Sequence, residues 1–170
     1  MRNFLSILLC TTALLSAQQA RRAPGWALTD SKMKVYDLAD YRGKIVILEF
    51  MQTNCPHCSA AADTLRAVEQ QYGSKIQIVA VVSAQNEKDY TVRSYADGHK
   101  VDYPILFDSG QMMYSYVLDP KILFPHIYVI DGRGAIRFDY VYDVTTHDVF
   151  EGKGLNTAID RLLAETGGKK

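Results

Sequence analysis

A chain of 170 residues that is 48% hydrophobic and 22% charged has enough length and apolar content for one domain with a real core, and too little for two full domains. Its 19 basic residues balance its 19 acidic ones, so no excess positive charge is available to neutralise phosphates, and nucleic acid is not an expected partner. The longest nearly apolar run, Phe4 to Leu15, falls short of the roughly 20 residues a membrane-spanning helix needs.

That run reads instead as a secretory signal peptide over residues 1–17. Arg2 supplies the positive start, Phe4 to Leu15 the apolar stretch, and Leu15-Ser16-Ala17 a cleavage site. The expected location of the mature protein, cleaved near Ala17, is periplasmic or secreted. The paired Arg21 and Arg22 follow the apolar stretch, whereas a twin-arginine export signal would precede it. Of three cysteines, Cys10 would leave with the leader, and Cys55 and Cys58 would remain. The loop they enclose is too short for a disulfide to stabilise a fold by chain entropy, which points to chemistry rather than structure.

Residues 18–25, with Pro24 and Gly25 and no apolar period, read as a linker, and the domain is expected over 26–166. Trp26 to Tyr36 suggests a small hairpin turning near Asp30, packed onto the sheet by Trp26, with a short helical turn over Leu38 to Tyr41. Lys44 to Phe50 is a continuous β-branched and apolar run, the pattern of a strand covered on both faces. Cys55-Pro56-His57-Cys58 follows, then an amphipathic helix over Ala60 to Tyr72 carrying Ala61, Leu65, Val68 and Tyr72 on one face and stopped by Gly73. Ile76 to Val82 reads as a second buried strand, completing a βαβ unit. Beyond it come a polar helix over 86–97, a short strand over 104–107 and a tyrosine-rich helical piece over 111–117. Ile127 to Ile130 and Ala135 to Tyr140 flank Asp131-Gly132-Arg133-Gly134 and read as an antiparallel hairpin. A helix over 155–164 closes the domain, and 167–170 should fray. The expected sheet is mixed, with four or five strands, helices on both faces and the N-terminal hairpin as an extension.

The chemistry gathers where the first buried strand meets its helix. A thiol attacks as thiolate, and unpaired N–H groups at a helix N-terminus favour that anion. Cys55 falls at this N-terminus, with Pro56 in the first turn, where its missing N–H is not needed. His57 is a candidate for further stabilising the thiolate, and Cys58, three residues on, is placed to resolve a mixed disulfide. Glu49 is a lone carboxylate in an otherwise apolar strand. Buried, it would hold its proton to unusually high pH and suit the role of proton acceptor for the second thiol; an emerging, solvated strand end is the alternative.

Cys-Pro-His-Cys after a buried strand resembles the thioredoxin superfamily. Leu28-Thr29-Asp30, Leu38 to Lys44 and Tyr128-Val129-Ile130-Asp131-Gly132 are similar to its exported TlpA/ResA branch and the related redoxin and AhpC/TSA proteins. The resemblance covers nearly all of 26–165. It implies a thioredoxin-like α/β fold and thiol–disulfide exchange through Cys55 and Cys58, with no cofactor beyond that redox-active pair. By the same resemblance, Pro125 takes the place of a cis-proline beside the cysteines, with Phe124 and Pro125 forming a substrate-binding edge, and Glu49 that of the family's buried acid. The partners implied are protein thiol or disulfide substrates and a membrane or periplasmic thiol donor or acceptor; a monomer is expected.

Departures bear on specificity. Asn54 stands where Trp is usual, Phe124 where Thr, Val or Ile is usual, and the segment 118–123 is longer than the family's connection. The Pro56-His57 dipeptide is similar to that of DsbA-type oxidases, whose couple lies near −120 mV against about −270 mV for thioredoxin. It leans the couple toward oxidation without setting its direction. Two alternatives are kept. A thiol peroxidase would form a sulfenate on Cys55 resolved by Cys58, although Thr53 lies one residue too close for the peroxidatic motif. A Sco-like copper chaperone would use the two thiolates and His126, although its cysteines are spaced by three residues. His99, His126 and His147 lack the spacing of a zinc ligand pair. The clustered tyrosines Tyr114, Tyr116, Tyr140 and Tyr142 and the pair Met112-Met113 read as packing, and His99 and His147 as surface residues.

Overall fold

The apolar run after Lys44 becomes the strand on which the rest of the molecule is built. In the computed structural model, which describes residues 20–119 and 121–167, this strand (β3, Ile45–Phe50) is buried at all six positions. The signal peptide expected over 1–17, with Cys10, lies outside the described residues, as do 18–19 and 168–170.

A hairpin comes first, β1 (Ala27–Asp30) with β2 (Val35–Asp37), then a 3₁₀ turn over Leu38–Tyr41. After β3 come α1 (Pro56–Tyr72), β4 (Ile76–Ser83), α2 (Asp89–His99), β5 (Ile105–Asp108) and α3 (Gln111–Tyr116). The hairpin β6 (His126–Ile130) and β7 (Ile136–Val141) leads into a short α4 (His147–Phe150) and α5 (Lys153–Gly167).

The strands form one mixed sheet in the order β2-β1-β5-β4-β3-β6-β7. β4 runs parallel to β3 and to β5, while β6 is antiparallel to β3. The sheet has seven strands rather than the expected four or five, because Thr29 and Asp30 of β1 pair with Phe107 and Leu106 of β5. The N-terminal hairpin therefore extends the sheet edge rather than lying apart from it. The stretch read as a linker is also held down within its described part. Arg22 bridges to Ala135, the Ile136 N–H donates to Arg21 O, and the Arg21 guanidinium donates to Ser115 O and Tyr116 O.

Alternation along the strands sorts side chains into two layers. One holds Ile47, Ile78, Val129, the inner face of α1 and Leu155 and Ile159 of α5. The other holds Leu48, Phe50, Val81, Tyr128, Trp26, Met112 and Tyr116. Each fully buried aliphatic side chain contributes about 1.5–3 kcal/mol, and the two layers clamp β3 and β4 from both sides. Trp26 and the Met112-Met113 pair are in this core, as read from the sequence. Tyr116 is fully buried, whereas Tyr114 is exposed.

Helix bounds differ where the sequence signal is local and weak. α1 begins at Pro56, α2 is displaced toward its C-terminal side, and α5 continues to Gly167 rather than ending at Ala164. α3 leads into the segment before Pro125, and its start depends on one buried carboxylate. Asp108, 2% exposed, accepts from Met112 N at 3.1 Å and Met113 N at 2.9 Å. Asp108→Ala leaves both donors unpaired and is expected to lower stability by about 2 kcal/mol or more; an unchanged urea midpoint would contradict this.

Candidate active site

The turn Gln52–Cys55 carries the chain from β3 into α1, closed by the Cys55 N–H donating to Gln52 O at 3.3 Å. Cys55 is the N-cap of α1, extended at φ −91° and ψ 117°, with Pro56 at the first helical position. Ser, Thr, Asp or Asn usually fills an N-cap through a side-chain oxygen; here the sulfur does so. The Cys58 N–H donates to Cys55 Sγ at 3.3 Å, and the Cys55 thiol reaches Phe124 O at 3.9 Å.

The two sulfurs have unlike surroundings. Both cysteines are free thiols; Cys55 is half-buried and Cys58 is fully buried. Burial, then the Glu49 carboxylate, then the hydrogen bond with Cys55 push the Cys58 thiol well above its ordinary range. Tyr95, on α2, donates its hydroxyl to Cys58 O at 2.8 Å and pins the first turn of α1 against the core.

Glu49 lies on the face of β3 that packs beneath α1, the face it shares with Ile45 and Ile47. It is fully buried, and neither carboxylate oxygen has a hydrogen-bond partner. Desolvation disfavours its charged form and pushes its pKa up to about 8. The solvated alternative for Glu49 is therefore excluded by its burial.

The Phe124–Pro125 peptide is cis, and Pro125 leads directly into β6. Phe124 packs against both core layers while its carbonyl faces Cys55. Pro125 O accepts from Tyr142 N at 3.0 Å. His57 is exposed, and its ring stacks on Tyr142 with centroids 4.1 Å apart at 22°. The imidazole thus has an aromatic partner that the sequence reading did not foresee, since Tyr142 read as packing.

The other histidines are placed as follows. His126 stands opposite Phe50 and on the face of Tyr128, across the sheet from the layer that holds Cys58. Its Nε2 is 2.6 Å from Asp139 Oδ1, and its ring stacks on Tyr128. This placement does not fit a shared ligand set with the cysteines, and among the described residues no group of three His, Cys, Asp or Glu side chains is arranged to hold a metal ion. His99 is half-buried against Tyr95 rather than a plain surface residue.

The strand order, the Cys-x-x-Cys at the start of α1, the buried acid beneath it and the cis-proline before β6 together define a thioredoxin-superfamily protein. The crystal structure of a thiol:disulfide interchange protein from Chlorobium tepidum has the same fold, with a TM-score of 0.67 at 21% identity over 81% of this chain and 96% of that one. Among sequence relatives, thioredoxin-like protein YneN of Bacillus subtilis is 28% identical over 133 residues, which is 78% of this chain and 76% of YneN. Thiol-disulfide oxidoreductase ResA of Bacillus anthracis is 26% identical over 137 residues, 79% of this chain and 76% of ResA. The AhpC/TSA family model matches residues 20–139, and the chain belongs to that family, on its TlpA/ResA-like side.

Proposed function

We propose that this protein is a thiol–disulfide oxidoreductase that exchanges disulfides with protein substrates through Cys55 and Cys58. The observation that carries the reading is the asymmetry of the pair: one sulfur half-exposed and capping a helix, the other fully buried above a protonatable acid. The names of the ResA relatives support the reaction class.

In the reducing direction, Cys55 thiolate attacks a substrate disulfide and releases one substrate thiolate, leaving a mixed disulfide. The helix N-terminus and the Cys58 N–H favour negative charge on the attacking sulfur. Cys58 then loses its proton to Glu49 and attacks Cys55 Sγ, releasing the second substrate thiolate. The Cys55–Cys58 disulfide forms, and two electrons pass to the substrate. With its pKa raised to about 8, only about a tenth of Glu49 is ionised at pH 7, and it is this fraction that accepts the proton, more of it as pH rises toward 8. Run in reverse, the same atoms oxidise a substrate dithiol. Pro56 and His57 tune the pair, His57 from its seat on Tyr142.

The edge at Phe124 and Pro125 is the proposed substrate contact, and a thiol donor or acceptor would recharge the couple, with no bound cofactor and a monomer as the working unit. The leader-like residues 1–17 support an extracytoplasmic location; among the described residues, no helix is long and apolar enough to cross a membrane.

The test is reduction of insulin disulfides by dithiothreitol with and without the purified protein. Accelerated precipitation of the insulin B chain is expected. No acceleration, with peroxide consumption or stoichiometric copper binding in its place, would favour a thiol peroxidase or a copper chaperone instead.

A further inference from the structure

Thr53 is the first of the two central residues of the turn that presents Cys55, and the turn itself is closed by a single long bond, Cys55 N to Gln52 O at 3.3 Å. What fixes it from outside is a carboxylate 34 residues away. Thr53 N donates to Glu87 Oε1 at 2.8 Å, and Thr53 Oγ1 donates to Glu87 Oε2 at 2.7 Å. Asn54, the other central residue, is exposed.

Glu87 is itself held on both sides. Its backbone N–H donates to Ser83 O at 2.9 Å at the end of β4, and its Oε2 lies 2.7 Å from Thr91 Oγ1 in the first turn of α2. The Thr91 hydroxyl also accepts from the Lys88 N–H at 3.0 Å. Only 7% of Glu87 is exposed. A carboxylate withdrawn this far from water costs stability unless its oxygens are hydrogen-bonded; the donors that satisfy it come from the turn before Cys55 and from the helix that also pins Cys58 through Tyr95.

We propose that Glu87 is the positioning residue of this site: by clamping Thr53 through two hydrogen bonds, it holds Cys55 in the N-cap geometry in which its sulfur receives the Cys58 N–H. The inference rests on the reading of Cys55 as the attacking sulfur. Charge-assisted bonds to a carboxylate are stronger than neutral ones, so this clamp outweighs the 3.3 Å turn bond it reinforces. Without it, Thr53 exchanges its partners for water, and the sulfur samples positions away from the helix N-terminus.

The test is the rate of Cys55 carbamidomethylation by iodoacetamide across pH 5–9 in the reduced full chain, read on the Cys55 peptide by mass spectrometry. Glu87→Ala is expected to slow the reaction at pH 7 by about fivefold, the factor that one lost hydrogen bond of about 1 kcal/mol represents, and to displace the rate–pH profile toward higher pH. Thr53→Val, which removes one of the two bonds and keeps the carboxylate, is expected to move the profile the same way by a smaller amount. Glu87→Gln keeps an oxygen acceptor for the Thr53 N–H and is expected to retain more than half the wild-type rate. A folded Glu87→Ala protein with the wild-type profile would overturn the proposal, as would equal losses in Glu87→Ala and Glu87→Gln. Alkylation needs no partner protein, so a displaced profile in a chain that fails to reduce insulin would uphold the clamp and overturn the exchange reading alone.

Discussion

Cys55→Ser is expected to abolish insulin reduction, whereas Cys58→Ser is expected to leave a protein that still attacks disulfides but cannot let go of them. The difference follows from the unequal exposure of the two sulfurs. Cys58 is fully buried, and its thiol is held protonated by burial and by Glu49, so it cannot substitute as the attacking group. Cys55 retains its helix N-terminus and the Cys58 backbone N–H when the Cys58 side chain is changed, because that donor belongs to the main chain. The Cys58→Ser protein should therefore accumulate stable mixed disulfides, seen as higher-mass bands that disappear on reduction. Residual turnover in Cys55→Ser, or an absence of trapped adducts in Cys58→Ser, would remove the assigned order of attack.

Glu49 makes stability depend on pH in the direction opposite to that of a salt-bridged acid. The folded state keeps the proton up to about pH 8, while the unfolded chain releases it near the ordinary 4.5. Between those values the folded state binds one more proton, so stability falls as pH rises, by about 1.4 kcal/mol per pH unit for this group. The loss is complete above the folded value and totals roughly 5 kcal/mol. Glu49→Gln removes the titration, so its urea midpoint should gain on that of the wild type steadily between pH 5 and 8. The same substitution takes away the proton acceptor for Cys58 and is expected to slow release of the mixed disulfide by about 10²-fold. Parallel pH dependences of stability in the two proteins would show that Glu49 does not carry its proton into the folded state.

Where a role is written in neighbouring residues, the sequence discloses it. The Ile45–Phe50 run marks a two-sided buried strand, Cys55 and Cys58 sit at fixed offsets from it, and one acid among apolar residues makes Glu49 conspicuous. Roles made by distant contacts leave no such trace. Glu87 lies in a polar stretch after β4 and looks like any loop acid; only the fold brings it to Thr53. Tyr142 becomes the seat of His57 only because its backbone pairs with Pro125. The sixth and seventh strands of the sheet, β1 and β2, depend on β1 meeting β5, a pairing of residues far apart in sequence. The described part of the supposed linker has no apolar period, yet Arg21 and Ala23 pair with the β6–β7 hairpin through backbone groups, which composition does not report. α4, four residues long, is below the length at which helical periodicity can be seen.

The exchange role of Cys55 and Cys58 is tested most directly by equilibration of the protein with reduced and oxidised glutathione, followed by acid quenching and mass spectrometry of the Cys55–Cys58 peptide. A reversible intramolecular disulfide is expected, with a single two-electron midpoint between about −270 mV and about −120 mV. Failure to form that disulfide at any glutathione ratio, or a glutathione adduct persisting on Cys55 in place of it, would contradict the assignment of Cys55 and Cys58 as one redox couple.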